Sequence, residues 1–255
     1  MTFSRPERGS RCANPFHGIG AGAQVYRDVR PGYPEEIVAR LKVGKTDRVA
    51  DIGAGTGKLT ALLCGLSENV WAVEPAQDFR KIFLRALPEF PASRLMPTQA
   101  ENTGLEDSFF DLVTYGQCWH WLSAPLAAAE AARIMRPGGK IAVLYNQLDV
   151  SLPWVLQLTR IMRSGDVHRE DRPPQLGRRF THPELVLGAM TEKMTVEEVF
   201  ALGTTRSSWI GSDAENRRRM RENLRWYLCE ELGFDPQNGV ISLPYRTLLW
   251  TAKLK

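Results

Sequence analysis

Val49-Ala50-Asp51-Ile52-Gly53-Ala54-Gly55-Thr56-Gly57-Lys58-Leu59-Thr60 is the segment around which the rest of the chain is ordered. An apolar run meets an acid, then glycine at every second position, then helix-forming residues. The pattern predicts a buried strand, a tight turn and the start of a helix. Gly53, Gly55 and Gly57 remove Cβ atoms where the backbone must turn sharply, so a ligand can come within contact distance of the main chain. Such a turn is shaped to accept a nucleotide. The plainer alternative, a glycine-rich loop with no ligand, is disfavoured by the helix that follows and by a matching acid downstream.

From Asp47 onward strands and helices alternate. Strand one is expected at about Arg48 to Ile52 with its helix at Lys58 to Leu66, strand two at Val70 to Val73, and a helix at Ala76 to Leu87. A weak third strand, Arg94 to Pro97, precedes strand four at Phe110 to Tyr115, a helix at Pro125 to Met135 and strand five at Lys140 to Tyr145. Short apolar strands in a β-α-β-α rhythm predict a parallel sheet covered on both faces, with the ligand at the carboxyl ends of the strands. Upstream, Tyr26-Arg27-Asp28-Val29-Arg30-Pro31-Gly32-Tyr33-Pro34 forces an extended or turning path into a helix of about Pro34 to Leu41. Residues 1 to about 18 lack periodicity, and residues 1 to about 33 form an N-terminal arm able to fold over a ligand. After Asn146 the rhythm breaks. Residues about 147 to 193 are expected to be a lid-like insertion, with a helix at Pro153 to Met162 and a charged, proline-bearing run from Asp166 to Arg179. Thr195 to Leu202 and Val240 to Leu254 are expected as antiparallel edge pieces around a long helix of about Asp213 to Leu232.

Composition narrows the function classes. With 255 residues, 43% hydrophobic and 24% charged, the chain suits one α/β domain, 1–255, and excludes wholesale disorder. A formal net charge of +4 permits an anionic substrate without demanding nucleic acid. Cys12, Cys64, Cys118 and Cys229 lack the close pairing of a zinc site or disulfide scaffold, and no metal is expected. Met1 to Ser10 has no apolar core of a secretory signal, and no run approaches the roughly 18 apolar residues of a membrane span, so a soluble, cytoplasmic protein is expected.

Spacing says which nucleotide the turn serves. A dinucleotide fingerprint wants a small residue where Lys58 stands, and a phosphate loop fails because Gly57-Lys58 is followed by Leu59. Asp51-x-Gly53-x-Gly55-x-Gly57 resembles the first motif of the class I methyltransferases, which bind S-adenosylmethionine. Val70-Trp71-Ala72-Val73-Glu74-Pro75 supplies an acid after strand two, where a carboxylate can accept both ribose hydroxyls, as it could for NAD. Gln99-Ala100-Glu101 stands where these enzymes commonly carry Asp-Ala-Glu beside the adenine, so this chain departs from the pattern at Gln99. Ser108-Phe109-Phe110-Asp111-Leu112-Val113 and Met135-Arg136-Pro137-Gly138-Gly139-Lys140-Ile141 resemble the family's fourth strand and its turn into the fifth, the glycines reading as a helix stop.

The resemblance spans about Tyr26 to Asn146 and, more weakly, Leu243-Pro244-Tyr245. It implies a Rossmann-like seven-stranded sheet, mostly parallel with an antiparallel edge and helices on both faces. The implied cofactor set is Asp51, Gly53, Ala54, Gly55, Gly57, Glu74, Pro75, Gln99, Ala100, Glu101 and Gln117, with Tyr26 and Arg30 from the arm. Tyr26, Arg30-Pro31 and Tyr33-Pro34 before the turn, with Gln117-Cys118-Trp119-His120-Trp121 after strand four, resemble the small-molecule branch that includes trans-aconitate methyltransferase-like proteins. By that resemblance Arg30 would pair with the methionyl carboxylate and His120 would face the transferred methyl. A structural ring between two tryptophans is the alternative for His120. The implied reaction is in-line methyl transfer to a small-molecule acceptor. Two other functions stay open: an RNA methyltransferase using the arginine-rich helix 216–225, and a module that binds S-adenosylmethionine without catalysis. Against the RNA reading, Met220, Leu224, Tyr227 or Leu228, and Leu232 form one apolar stripe, and Glu215/Arg219 and Arg218/Glu222 can pair at i,i+4. Arg178 and Arg179 are further candidates to clamp a carboxylate, although an exposed loop is the favoured reading for them.

Overall fold

In the computed structural model, residues 18–164 and 168–255 are described. The aperiodic N-terminal stretch through residue 17, Cys12 within it, and Asp166 lie outside the described residues. The elements run α1 (Gly22–Val29), α2 (Glu35–Ala39), β1 (Arg48–Ile52), α3 (Lys58–Leu66), β2 (Asn69–Val73), α4 (Gln77–Ala86), β3 (Leu95–Met96), β4 (Phe110–Gly116), α5 (Ala124–Ile134) and β5 (Met135–Leu148). They continue through α6 (Pro153–Ile161), β6 (Glu184–Thr195), α7 (Val196–Thr204), α8 (Ser207–Ile210), α9 (Ala214–Arg225) and β7 (Val240–Lys253).

The strands form one seven-stranded sheet in the order β3-β2-β1-β4-β5-β7-β6. β3, β2, β1, β4 and β5 run parallel, and β7 runs antiparallel to both of its neighbours. The strand order reverses between β1 and β4, whose carboxyl ends Ile52 and Tyr115 are in register. That is where an open parallel sheet leaves a crevice for a ligand. β5 is longer than its apolar core suggests because Pro137-Gly138-Gly139 stays in the strand as an irregularity, so that Phe110 pairs with Met135 and Leu112 with Lys140.

Three large apolar clusters hold the architecture. One face of the sheet packs Ile52, Val113, Tyr115, Val143 and Leu248 against Ala127, Ala131 and Ile134 of α5. The opposite face packs Val49, Val70, Leu112 and Leu144 against Ile37, Val38, Leu59 and Leu63 of α2 and α3. The third joins α6, α7 and α9 to Leu148 of β5 and to Ile241, Leu243 and Tyr245 of β7. Among the described residues no helix is long and apolar enough to cross a membrane.

Three expectations need correction. The end of the 147–193 insertion, from Glu184 onward, is not lid but edge strand β6, whose twelve residues pair with β7 from Glu184–Thr251 to Thr195–Val240. Thr195 to Leu202 is not strand but helix α7, begun by a capping box in which Thr195 and Glu198 satisfy each other's backbone N–H groups. The arm is not merely extended: Gly22–Val29 forms α1, which packs on α4 through a small cluster of Ala23, Ala76, Phe79 and Ile82. The long C-terminal helix has the expected face. Met220, Leu224, Tyr227 and Leu228 are buried, while Glu215 pairs with Arg218 and Arg219 and Arg218 with Glu222 on the solvent side. Its last turn, Trp226–Glu231, is π-helical.

Candidate active site

The site begins where β1 ends. Gly53, Gly55 and Gly57 all adopt positive φ, at 71°, 58° and 85°. Each has a different neighbour. A Cβ on Gly53 would lie 2.7 Å from Cys118 Sγ, one on Gly57 would lie 2.8 Å from Phe83 Cδ2, and one on Gly55 would meet nothing closer than a carbonyl at 4.0 Å. Gly53 thus lets the chain after β4 pass close by, Gly57 lets α3 start against α4, and Gly55 presents bare backbone to the cavity. The N–H groups of Gly53 and Ala54 donate to the Val73 carbonyl at 2.8 and 3.0 Å, which fastens the turn to the end of β2.

Asp51 sits beneath this turn with 1% of its surface exposed. Its Oδ2 accepts from Thr60 Oγ1 at 2.6 Å and its Oδ1 from Thr114 Oγ1 at 2.9 Å. Burial raises its pKa to about 6 against the pull of the two hydroxyls, and among the described residues no cation pairs with it. A buried carboxylate held this way is suited to a positively charged partner. Glu74, 4% exposed, is also pushed up by burial. Its Oε2 accepts from the Gly55 N–H at 2.9 Å and its Oε1 from the Ala76 N–H at 2.7 Å, so one side chain ties the glycine turn to the start of α4. Each carboxylate oxygen retains acceptor capacity for a further donor.

The other walls follow from β3, β4 and the arm. Gln99 bridges to Asn102, Ala100 is buried beside it, and Glu101 Oε1 accepts from the Ser123 N–H at 2.9 Å at the start of α5. Gln117 is a non-glycine residue at φ 59°, a costly conformation that turns the chain sharply after β4. Its N–H donates to Leu144 O at 2.9 Å and its side-chain amide donates to Asn146 O. His120 lies exposed in a single 3-10 turn whose first residue, Trp119, is buried edge-on against Tyr115 at 4.8 Å. Around His120 are the rings of Trp121, His168 and Tyr145, with centroids 4.9, 5.2 and 6.1 Å away. From above, Tyr26 of α1 packs on Phe79 at 5.1 Å, and the Arg30 guanidinium lies 4.9 Å from the Tyr26 ring. Arg27 donates to the Thr56 carbonyl, clipping the arm onto the glycine turn.

These groups surround one cavity of about 950 Å³. Every residue of the expected cofactor set, and His120, lines it except Gly57, which faces Phe83 and Leu87 instead and serves the packing of α3. Arg30 lines it too, but Nε and one terminal nitrogen already donate to Thr205, each at 2.9 Å. Arg178 and Arg179 are exposed and do not line it. The structure adds residues that the motifs did not indicate: Asn146, Arg206 and Tyr245, with Leu122, Ser123 and Leu126 along the His120 wall. Asn146 could have been suspected from its place at the end of β5. Arg206, at the start of α8, carried no such signal. No arginine of 216–225 lines the cavity, and among the described residues no group of three His, Cys, Asp or Glu side chains could hold a metal ion.

A methyltransferase-domain family model matches residues 50–143, which run from within β1 into β5. An uncharacterized methyltransferase of Mycobacterium tuberculosis is 35% identical over 237 residues, 92% of this chain and 95% of that one. The chain belongs to the class I S-adenosylmethionine-dependent methyltransferases. A second relative, an uncharacterized methyltransferase of Schizosaccharomyces pombe, is 29% identical over 78% of this chain and 82% of its own. Among solved structures, a protein of Anaeromyxobacter dehalogenans proposed to be a type II methyltransferase superposes with a TM-score of 0.63 at 20% identity, covering 88% of this chain and 97% of that chain. YcgJ of Bacillus subtilis superposes at 0.54 with 15% identity, over 86% and 97%. The last two establish likeness of fold. The trans-aconitate-like branch is not distinguished by these relatives. The methyl donor of this methyltransferase is S-adenosylmethionine, and a cation-seeking Asp51 under a bare glycine turn, with Glu74 beside it, suits such a ligand.

Proposed function

We propose that this methyltransferase methylates a small-molecule acceptor, which enters opposite the His120 wall while the donor lies against the glycine turn. The observation that carries the reading is the shape of the cavity: it lies at the upper end of the roughly 300–1,000 Å³ usual for small-ligand clefts, and α1 and the Thr205–Arg206 segment border it above the strand ends. When bound, S-adenosylmethionine supplies a methyl group already activated on a sulfonium. The chain's task is then alignment and exclusion of water. In this reading Asp51 receives the methionyl ammonium, Arg30 the methionyl carboxylate, Glu74 the ribose hydroxyls and Gln99 with Ala100 the adenine. Pro75, Glu101, Gln117 and Tyr26 complete the walls. The arm with α6 and the segment before β6 would act as cover. The RNA alternative loses support because the arginines of 216–225 that pair do so on the solvent face of α9 and none reaches the cavity.

Calorimetric titration with S-adenosylmethionine, S-adenosylhomocysteine and NAD tests the donor site, and radiolabelled turnover over a panel of small metabolites tests catalysis against passive binding. Tight binding of NAD alone would overturn the assignment. The pH dependence of donor binding has a stated sign. Without ligand, Asp51 titrates near 6, above the 3.8 of a free side chain, so protonation between those values favours the folded state. An ammonium beside it favours the ionised form, so affinity is expected to hold above pH 7 and to fall by about tenfold per unit below pH 6. Asp51→Asn should bind weakly and without that step.

In this reading His120 acts as a base if the acceptor is a hydroxyl, whose proton must leave, whereas a carboxylate acceptor is nucleophilic without one. For a hydroxyl acceptor, His120→Ala is expected to lower kcat by about 100-fold, general-base catalysis being worth roughly 10²–10⁴. A pH profile of kcat identical to that of the unaltered protein would show that the ring is structural.

A further inference from the structure

Gly116 closes β4 with no conformational need to be glycine, since it is not among the residues of positive φ. What it provides is room. A Cβ there would lie 2.6 Å from the Tyr33 hydroxyl oxygen and 3.3 Å from Tyr33 Cζ, so the phenol end of Tyr33 sits in the notch left by the missing side chain. Gly116 stands two residues beyond Thr114 on the same side of the sheet, and Thr114 is the residue that donates to Asp51 Oδ1. It also follows Tyr115, which is in register with Ile52, so the notch lies beside Gly53 at the head of the glycine turn. Tyr33 thus reaches from the arm onto the carboxyl ends of β1 and β4, where it lines the cavity with Asp51 and Gly53.

Its approach is fixed on both sides. Asn146, whose Oδ1 accepts from Thr247 Oγ1 at 2.6 Å, donates to the Gly32 carbonyl, and Pro34 begins α2 with its own carbonyl accepting from the Ile37 and Val38 N–H groups at 3.0 and 3.1 Å. The ring packs on the apolar cluster that α2 and α3 share with the sheet. The hydroxyl, in contrast, makes no hydrogen bond among the described residues. Burial, with the Asp51 charge adding to it, holds its pKa well above the ordinary tyrosine value, so it stays protonated and can both accept and donate. A fixed hydroxyl without a partner, facing the same space as a buried carboxylate without a cation, marks a place for a ligand group that answers both.

We propose that the Tyr33 hydroxyl, seated in the Gly116 notch, is a donor-binding group that with Asp51 holds the α-amino-acid end of S-adenosylmethionine. Its oxygen accepts from the ammonium that Asp51 receives, and its own proton is left for the adjacent carboxylate, so one phenol serves both charges of the amino acid. The proposal rests on the methyl-transfer reading. It adds a contact at the end of the donor where Arg30 has two nitrogens already donating to Thr205.

The test is calorimetry on the full chain with S-adenosylhomocysteine and, separately, with 5′-methylthioadenosine, which keeps the nucleoside and the thioether but lacks the amino acid. Tyr33→Phe keeps the ring and removes only the oxygen. It is expected to weaken S-adenosylhomocysteine by about three- to tenfold and to leave 5′-methylthioadenosine within about twofold of the unaltered protein. Should Tyr33→Phe not fold, Gly116→Ala, whose methyl displaces the hydroxyl, carries the same comparison with the same expected outcome. Unchanged affinity for S-adenosylhomocysteine would overturn the assignment. An equal loss for both ligands would overturn it too, since the residue would then only shape the cavity. Failure of the unaltered protein to bind S-adenosylhomocysteine would instead remove the methyl-transfer reading, and the assignment with it.

Discussion

Glu74→Ala is expected to weaken binding of S-adenosylmethionine and of its demethylated product by at least about 10- to 150-fold, the loss of one charge-assisted pair of hydrogen bonds being worth roughly 1.5–3 kcal/mol. The structure gives reason to expect the upper end. The carboxylate that would receive the ribose is the same one that accepts the Gly55 and Ala76 N–H groups, so its removal also unties the glycine turn from α4. Glu74→Gln tests both contributions without removing the side chain's bulk. An amide has nearly the same shape, but its nitrogen must face one of two backbone donors and repel it, so the conservative variant should lose affinity nearly as far. Calorimetric titration of both variants checks this, with thermal unfolding run in parallel. If Glu74→Gln bound S-adenosylhomocysteine within about twofold of the unaltered protein, neither the anchoring role nor the ribose role would stand.

How far the sequence revealed this site depended on how local the controlling physics was. β1 and α3 begin and end where expected, because a buried apolar run, an acid and a set of glycines with no tolerable alternative conformation fix them within twelve residues. The wall of the cavity built on this turn inherits that clarity. β6 was obscure for the opposite reason. It is an edge strand, largely half-exposed or exposed on both faces, with Glu192 and Lys193 near its end, so neither a buried run nor a clean alternation marks it. Gly188 in its middle reads as a breaker. In the structure it is where α2 crosses: a Cβ there would lie 2.4 Å from Ile37 Cγ1. The start of α7 was legible in principle, since Thr195 and Glu198 have capping-box spacing, but the β-branched residues around them favoured a strand. Arg206 and Tyr245 could not be recognised as lining one cavity because the start of α8 and the inner strand β7, 39 positions apart in the chain, meet only through tertiary packing.

Gly53→Ala and Gly55→Ala are expected to fail in different ways, although both residues belong to the same motif and both have positive φ. At Gly53 a Cβ would stand 2.7 Å from Cys118 Sγ and 2.9 Å from its Cβ, a side chain already fixed by its thiol hydrogen bond to Ile52 O at 3.2 Å. The residue therefore incurs the left-handed backbone penalty of roughly 1–2 kcal/mol together with overpacking of roughly 1–3 kcal/mol. The variant should unfold well below the unaltered protein and bind the donor poorly, because β1 and the segment after β4 must separate to admit the methyl. At Gly55 the added carbon meets no protein atom within contact distance, so only the backbone penalty applies and a folded protein is expected, with unfolding free energy lower by about 1–2 kcal/mol. Its methyl would enter the space that the donor requires, so affinity should fall by more than tenfold, further than that loss of stability would suggest. Denaturant unfolding and S-adenosylhomocysteine calorimetry on the pair distinguish the two modes. Equal stability losses with equal affinity losses would mean that the turn acts only as a structural hinge. A Gly55→Ala protein that kept its affinity would place the donor elsewhere in the cavity, and the buried Asp51 would then need another cation to explain it.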